Sequence, residues 1–447
     1  MKPQIIDKIR TTPAIRVLAI VLWCTTIQSR AQAPLAHSFA HIAVLPDGAA
    51  SLTLTGHVSA ILWQYFDIYP LEASSDLVNW KPLATLVRSN ASRDALVYSD
   101  IKAVNLTDRF YRTFTNQFVT ALTKPTGPYP VGRVNRLVTD PSRTNRYFLR
   151  NSSFMVTITY PAESTAGIRP DRYVEPALAD AVFGEPDTVR QLFAFSILNA
   201  PIRTNEPSYP VVLYSHGYGS NRRQNTEKAE ELASHGYIVA AMDHIDCSGT
   251  IFPDGRLLYG SQFDPSLPEP QAARELVDRV KDVRFVLDEL TWLSHTDSVF
   301  AGRLDLEHVG GMGHSFGVGT LAEAARVDER IKAGVFLDGY LQGAAVLRTN
   351  GLQKPLLEMH NANTGSMKIL FSLALTNAYW CQITNAVHNT FIDLWRSELA
   401  NASSRQASEA MRACMLSFFD KHLKQEDDHL LDNPTNSFPV IFNYVKK

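Results

Sequence analysis

Hydrophobic and polar residues alternate in short runs between about residues 38 and 118. In residues 51–55, for example, Leu52 and Leu54 alternate with Ser51, Thr53 and Thr55. Alternation with a period of two places neighbouring side chains on opposite faces of a strand, and polar turns separate the runs. The pattern predicts an antiparallel β-sandwich module over residues 38–118. Its other predicted strands are residues 63–69, 95–98 and 109–112.

The pattern changes after residue 133, where apolar runs alternate with amphipathic helical segments. A charged segment at residues 223–234 separates the apolar runs 211–214 and 237–242. Strand, helix and strand in this order predict a parallel crossover. We therefore predict an α/β fold, a doubly wound and mostly parallel sheet over residues 133–447. The proline- and glycine-containing residues 119–132 are predicted to link it to the sandwich. Further strands are expected at residues 308–312, 333–337 and 355–359, and helices at 269–293, 390–399 and 403–423.

Residues 1–33 have the composition of a secretory signal. Basic residues precede an apolar run at residues 17–27, which is followed by Ala31-Gln32-Ala33, a suitable cleavage site. The apolar run is shorter than the roughly 20 residues that a membrane-spanning helix needs. The sequence predicts export to a secreted or periplasmic location, without a stable membrane span.

Charge and cysteine content narrow the function classes. The 43 basic and 45 acidic residues give a formal net charge of -2, so no general attraction to nucleic acid is expected. Cys247, Cys381 and Cys414 follow the signal segment without metal-type spacing, which favours buried cysteines and leaves one disulfide open. His244 and Asp246 lack a convincing third ligand nearby. We predict neither a metal nor another cofactor.

The segment Gly313-His314-Ser315-Phe316-Gly317 has the form Gly-x-Ser-x-Gly. It follows an apolar run and precedes a segment rich in alanine and leucine. A serine between such a strand and helix is typical of the nucleophile elbow of an α/β-hydrolase. The two glycines allow neighbouring backbone to pass close to the turn. Ser315 is the predicted nucleophile.

A second glycine-containing turn, Ser215-His216-Gly217-Tyr218-Gly219, follows the predicted strand 211–214. Hydrolases of this fold place the first oxyanion donor at this point and the second on the residue after the nucleophile. We predict that the backbone N–H groups of Tyr218 and Phe316 form the oxyanion hole. His216 is expected to have a structural role.

The acid and the base of a serine hydrolase follow the nucleophile along the chain in this fold. Asp338 ends the strand 333–337 and is the preferred acid, with Glu358 on the next strand as the alternative. His388, in a polar loop, is the predicted base. His360 and His422 are expected to be structural or surface residues.

The chain resembles the platelet-activating-factor acetylhydrolases and their bacterial relatives. The resemblance implies that the serine, aspartate and histidine of that family fall on Ser315, Asp338 and His388. It also implies calcium-independent hydrolysis of short or oxidised acyl chains from the sn-2 position of phospholipids. Relatives often have His-Arg-Asp where this chain has His244-Ile245-Asp246, so a basic pocket residue is missing. The matching segments are residues 126–132, 140–143, 160–162, 215–217, 233–241, 313–317, 337–338 and 387–388.

These features predict an exported serine esterase that hydrolyses short-acyl carboxylic esters through an acyl-enzyme, with sn-2 acetyl or oxidised-acyl phospholipids among its candidate substrates. A broad-specificity carboxylesterase or polyester hydrolase is the alternative within the same class. A non-catalytic surface-binding protein on a hydrolase scaffold is the alternative from another class. The expected partner is a small-molecule ester or phospholipid; the oligomeric state and any ligand of the sandwich module do not follow from the sequence.

Overall fold

The chain divides into two compact units, one of residues 1–121 with 166–169 and one of residues 122–165 with 170–447. This division comes from a computed structural model of the full chain. The structure describes residues 16–21, 38–47, 49–55, 65–76, 79, 81–89, 96–100, 103, 108–113, 116–120, 122–144, 151–163, 171–175, 177–179, 189, 192–244, 249–259, 268–362, 368–393 and 402–447.

The described part of the first unit contains two β-sheets. Strands β2, β3 and β6 form one antiparallel sheet, and in the other β4 pairs in antiparallel fashion with β5, β7 and β8. Leu52 of the first sheet shares a buried cluster with Leu71 and Tyr111 of the second. Two sheets around one core form the β-sandwich that the alternating pattern predicts. The strands are β1 (Arg16–Val21), β2 (Ser38–Val44), β3 (Ala50–Thr55), β4 (Tyr65–Ser74), β5 (Lys81–Ser89), β6 (Leu96–Asp100), β7 (Asp108–Thr113) and β8 (Asn116–Thr120).

Strand β1 lies in the predicted signal segment. In the full chain it pairs in parallel with β7, so that Arg16 faces Asp108 and Val21 faces Thr113. The signal segment and its cleavage after Ala33 stay predictions, since residues 22–37 lie outside the described part of the chain.

The second unit is built on a ten-stranded sheet, in the order β11-β9-β10-β13-β12-β16-β17-β18-β19-β20. Neighbouring strands from β13 to β19 are parallel, which confirms the predicted mostly parallel sheet. The antiparallel strands β9, β10 and β20 were not predicted. The strands of this unit are β9 (Val131–Thr144), β10 (Asn151–Pro161), β11 (Ile197–Leu198), β12 (Tyr209–Ser215), β13 (Ile238–Met242), a hairpin of β14 (Gly249–Ile251) and β15 (Leu257–Tyr259), β16 (Leu304–His314), β17 (Ile331–Leu337), β18 (Leu356–His360), β19 (Ala378–Ile383) and β20 (Ile441–Lys446).

Helices cover both faces of this sheet. One face packs a buried cluster that includes Val283 and Leu287 of the long helix, and the other packs a cluster that includes Leu232 and Met415. Apolar strands need such cover on both faces, because each face of a parallel sheet is hydrophobic. The described α-helices are α1 (Thr226–Ser234), α2 (Glu269–Thr296), α3 (Phe316–Val327), α4 (Ala345–Asn350), α5 (Ile369–Leu373) and α6 (Ala402–Phe419).

Two predicted elements differ from the structure for the same reason. Helix α1 begins at Thr226, later than predicted, and the predicted helix at residues 390–399 starts instead with one 3-10 turn, His388–Phe391. The Asp393 carboxylate accepts hydrogen bonds from the N–H groups of Thr226 and Glu227, at 2.8 and 3.0 Å. Asp393 thus satisfies the free N-terminus of α1 rather than continuing a helix of its own. Residues 394–401 lie outside the described residues.

The predicted linker also ends earlier than residue 132. Val131 and Gly132 already belong to β9, where they pair with Pro161 and Tyr160 of β10. The apolar run that begins at Val131 therefore forms part of the main sheet.

An apolar stripe on α6 packs into the core. Met411, Met415, Phe418 and Phe419 are each fully buried. Within the part of the chain that the structure describes, none of the helices has the length and hydropathy needed to cross a bilayer. Cys381 and Cys414 are buried and free, while Cys247 lies outside the described residues.

Candidate active site

Ser315 occupies a strained turn between β16 and α3. Its backbone φ of 56° and ψ of -123° lie in a region that residues other than glycine rarely adopt. The turn is close-packed, since a β-carbon on Gly317 would lie 2.1 Å from the carbonyl oxygen of Ser215. Gly313 faces Gly317 across the turn in the same way. The turn therefore has the form of a nucleophile elbow.

The structure brings Ser315, His388 and Asp338 into one hydrogen-bonded chain. The Oγ of Ser315 lies 3.0 Å from Nε2 of His388, and Nδ1 of His388 lies 2.6 Å from Oδ2 of Asp338. The His388 side chain is 36% exposed, whereas that of Asp338 is 1% exposed. The imidazole can thus exchange protons at the surface while a buried carboxylate fixes its orientation.

Asp338 lies at the carboxyl end of β17 and is held on both oxygens. Asn361 donates its backbone N–H to Oδ1 and its side-chain amide to Oδ2, each at 2.9 Å. Burial alone would raise the pKa of Asp338, but contacts with His360, His388 and the Asn361 backbone outweigh it and hold the pKa well below its usual range. Asp338 is therefore ionised throughout the neutral pH range.

Glu358, the alternative acid, has other partners. Its Oε2 accepts the backbone N–H of Phe371 at 2.8 Å, and its Oε1 lies 3.7 Å from Nε2 of His360. His360 also lies 3.7 Å from Asp338, through its Nδ1. In this structure Asp338 contacts His388 directly, and Glu358 is separated from Asp338 by the His360 ring.

His314 packs against the candidate base. Its ring centroid lies 4.7 Å from that of His388, and its Nε2 lies 3.3 Å from the carbonyl oxygen of His388. Burial, together with the nearby His388, lowers the pKa of His314 to about 3. Because His314 is neutral, it does not repel the His388 imidazole when that ring gains a proton during a reaction.

The turn after β12 lies against the serine. A β-carbon on Gly217 would lie 3.0 Å from Cβ of Ser315. The rings of Tyr218 and Phe316 meet edge to face at 5.8 Å, so the two residues predicted to supply oxyanion donors are neighbours. The N–H of Gly217 itself donates to Oε1 of Gln224 at 3.0 Å.

A buried polar network supports this turn from behind. Nη2 of Arg279 donates to the carbonyl oxygen of His216 at 2.6 Å, and its guanidinium lies over the Phe316 ring at 5.2 Å. His216 bonds the Gly217 carbonyl through Nδ1, at 2.6 Å. Burial, then the Arg279 charge, keeps the pKa of His216 well below its usual value. His216 is thus held in this buried network by Gly217 and Arg279.

His244, considered as a metal ligand in the sequence, belongs to the same network. Its Nε2 lies 2.9 Å from Oγ of Ser215, and its Nδ1 lies 2.9 Å from Oδ2 of Asp282. Burial lowers the pKa of His244 and raises that of Asp282, to about 6. His244 is therefore a buried neutral link between Ser215 and α2, while Asp246 lies outside the described residues.

Sequence reasoning missed several of the residues that surround the site. Gln224, Arg279, Asn361 and Asp282 carry no motif of their own. For Asn361 a signal did exist, because β17 and β18 are neighbours and residues after their carboxyl ends meet at one edge of the sheet. Arg279 and Asp282 lie on α2, far from the site in sequence, and only the packing of that helix brings them near it.

Parts of the chain are similar in sequence to known proteins. The family model described as platelet-activating factor acetylhydrolase, isoform II, matches residues 183–253. The platelet-activating factor acetylhydrolase of Canis lupus familiaris is 29% identical over 32% of this chain and 37% of its own length. That of Gallus gallus is 25% identical over 68% of this chain and 83% of its own length. The matches to the dog and guinea pig proteins span half or less of those relatives.

A solved structure shares the architecture more fully. The ferulic acid esterase of Streptomyces cinnamoneus superposes with a TM-score of 0.63 and 28% sequence identity, covering 73% of this chain and 99% of that one. With the sheet order and the strand–serine–helix turn, this defines the second unit as an α/β-hydrolase. In sequence, the chain is similar to the platelet-activating factor acetylhydrolases.

Proposed function

We propose that this chain is a carboxylic ester hydrolase with Ser315 as nucleophile, His388 as general base and Asp338 as the residue that orients His388. The observation that carries the proposal is the continuous hydrogen-bonded chain from Ser315 Oγ through His388 to Asp338, at 3.0 and 2.6 Å. The names of its relatives, acetylhydrolases and esterases, agree with this chemistry.

The reaction proceeds in two halves. His388 removes the proton of Ser315 as Oγ attacks the ester carbonyl, and the N–H groups of Tyr218 and Phe316 stabilise the oxyanion. The tetrahedral intermediate collapses, the ester C–O bond breaks, and His388 gives its proton to the departing alcohol. Water then attacks the acyl-enzyme by the same steps in reverse, which releases a carboxylic acid and restores Ser315.

Short-acyl esters are the proposed substrates, with sn-2 acetyl phospholipids among them. The similarity to the chicken platelet-activating factor acetylhydrolase and to a probable 1-alkyl-2-acetylglycerophosphocholine esterase of Arthroderma benhamiae supports this choice. The protein is also proposed to be exported, on the strength of residues 1–33.

One observation favours a second candidate, hydrolysis of aromatic esters. The structural neighbour that covers most of this chain is a ferulic acid esterase. In this chain Tyr340 is 43% exposed, and its ring lies 5.7 Å from that of His388. An exposed aromatic ring beside the base can stack on an aromatic acyl group.

A substrate panel tests the proposal. The purified protein is assayed on nitrophenyl acetate, butyrate and palmitate, on an sn-2-acetyl phospholipid and on methyl ferulate. We expect turnover of the short esters, and we expect Ser315→Ala to lower kcat/KM by at least about 10⁴-fold. Ser294→Ala is the matched control, because the hydroxyl of that serine bonds the Thr291 carbonyl and His295 Nδ1, both on helix α2. Turnover that survives in Ser315→Ala contradicts the proposal, and a preference for ferulate selects the second candidate.

A further inference from the structure

His360 lies fully buried between two carboxylates. Its Nδ1 is 3.7 Å from Oδ1 of Asp338, and its Nε2 is 3.7 Å from Oε1 of Glu358. His360 and both carboxylate side chains are at most 2% exposed. Within the described residues neither ring nitrogen of His360 has a hydrogen bond to another group. The ring is thus a bridge between the candidate triad and Glu358.

The protonation state of this ring follows from its surroundings. A neutral imidazole carries one N–H and can direct it at only one carboxylate, which leaves the other facing a nitrogen lone pair. An imidazolium directs an N–H at each and offsets buried negative charge on both sides. Burial alone would lower the pKa of His360, but Asp338 and Glu358 outweigh it and raise the pKa above its ordinary value.

The neighbouring strand stabilises the same state. The indole of Trp380 on β19 stacks on the His360 ring, with centroids 4.5 Å apart and an interplanar angle of 21°. A π-face favours a cationic partner and also fixes the plane of the imidazole. Two cations lie nearby: Lys368 Nζ is 5.4 Å from the centroid of the indole, and Lys447 Nζ is 4.9 Å from the centroid of Phe371.

We propose that His360 is a positioning residue of this site, which lies as an imidazolium between Asp338 and Glu358 and holds the Asp338 carboxylate toward His388. The proposal rests on the proposed function, because it assigns His360 a role in the same triad. Asp338 is fixed by two hydrogen bonds from Asn361 and by the His360 charge, so its Oδ2 remains directed at His388.

A charged His360 should affect the pH dependence of the reaction, whereas a neutral packing residue would not. Removal of a positive charge beside the triad should let the triad gain a proton more readily, which should shift the acid limb of the kcat/KM profile to higher pH. Loss of the His360 proton at alkaline pH should weaken the hold on Asp338 and lower kcat. Glu358 stabilises the imidazolium, and without it His360 should lose its proton at lower pH.

The test compares the pH profiles of wild type, His360→Gln and Glu358→Gln on nitrophenyl acetate. For His360→Gln we expect the acid limb to rise by about one pH unit, kcat at the optimum to fall about tenfold with little change in KM, and the alkaline limb to disappear. For Glu358→Gln we expect the alkaline limb to shift to lower pH. His422→Gln, a histidine packed against Tyr379 and Phe418 instead of carboxylates, is the matched control and should leave both limbs unchanged.

Unchanged limbs in both variants, with only a lower melting temperature, would overturn the proposal and leave His360 as a packing residue. Nitrogen-15 NMR of histidine-labelled protein at pH 7 gives a readout that does not depend on activity. We expect both ring nitrogens of His360 to be protonated in wild type, and a single protonated nitrogen would overturn the proposal. If no Ser315-dependent turnover exists, the proposed function fails while this NMR result still decides the state of His360.

Discussion

At the scale of single residues, two acidic side chains near the site have different surroundings. Asp338 bonds His388 directly, whereas Glu358 is bound to the Phe371 N–H and faces His360. Asp338 follows β17 directly, at the edge of the sheet where ligands and catalytic groups of α/β sheets collect, and Glu358 lies within the neighbouring strand β18, two residues before its end. Which of them orients the base depends on the distance from each carboxylate to the His388 ring, and no local sequence pattern gives that distance.

Substitution of each carboxylate separates their roles. We expect Asp338→Asn to lower kcat by about 10⁴-fold, because the amide favours the wrong tautomer of His388. Glu358→Gln should keep kcat within about tenfold of wild type, because it contacts the triad only through His360. Steady-state kinetics on a short nitrophenyl ester decides. A larger loss in Glu358→Gln than in Asp338→Asn would reverse the assignment.

The sequence predicted the residues of the candidate triad but not those that hold them. Ser315 carries a motif, and Asp338 and His388 follow it in the chain order of the fold. Asn361 and His360 carry no such pattern, since their role depends on the register between β17, β18 and β19. The buried charge of His360 could not be predicted because it requires two carboxylates to approach one ring in space.

At the scale of elements, one strand end and one helix together shape the turn beside Ser315. The turn after β12 contributes Gly217 and Tyr218, and α2 contributes Arg279, which donates to the His216 carbonyl from behind. His244 joins the same turn to Asp282 on α2. The long helix thus acts as a support for the proposed oxyanion hole as well as a cover for the sheet.

We expect Arg279→Met to lower kcat by about tenfold or more with little change in KM. The turn loses its donor to His216, and a displaced Tyr218 N–H stabilises the transition state less; loss of a direct donor costs about 10²–10³-fold. The matched control is Arg284→Met on the same helix, whose half-exposed side chain pairs with Asp328. Equal kcat in Arg279→Met and wild type would show that the network does not support the site.

The sequence predicted helices and strands correctly where the hydrophobic periodicity was strong. It failed where a hydrogen bond to a residue distant in sequence determined the local structure. The apolar parallel strands and the long helix α2 follow from their patterns. The predicted helix at residues 390–399 begins as a single 3-10 turn, because Asp393 caps α1 through long-range hydrogen bonds. Antiparallel strand β9 was missed because it mixes charged and polar residues with apolar ones. Strand β10 was missed although residues 154–160 are rich in aromatic and β-branched side chains, which are typical of a strand.

At the scale of the whole molecule, helix α6 packs on one face of the described sheet of the second unit. Its Met411, Met415, Phe418 and Phe419 side chains are fully buried among strand residues such as Val335 and Leu357. Such a stripe stabilises the folded unit through apolar burial. In this structure it forms no exposed surface for lipid.

Truncation of one side chain of the apolar stripe on α6 measures how much the stripe stabilises the folded unit. We expect Phe418→Ala to lower the free energy of unfolding by about 3–5 kcal/mol, as removal of a buried aromatic ring usually does. Urea denaturation measures this change, with Trp292→Ala as the control because that ring is 60% exposed. If Phe418→Ala left stability unchanged but abolished sedimentation with lipid vesicles, the stripe would be a membrane-binding surface.

The central claim, that Ser315 is the nucleophile of an ester hydrolase, is tested most directly by covalent trapping. The protein is incubated with a fluorophosphonate, which phosphonylates an activated serine, and the modified peptide is mapped by mass spectrometry. We expect a single adduct on Ser315 and loss of esterase turnover in proportion to labelling. We expect no adduct in Ser315→Ala, and labelling no faster than wild type in His388→Gln, because that variant lacks the base that activates the serine. An active esterase with its adduct on another residue, or with no adduct, would contradict the claim.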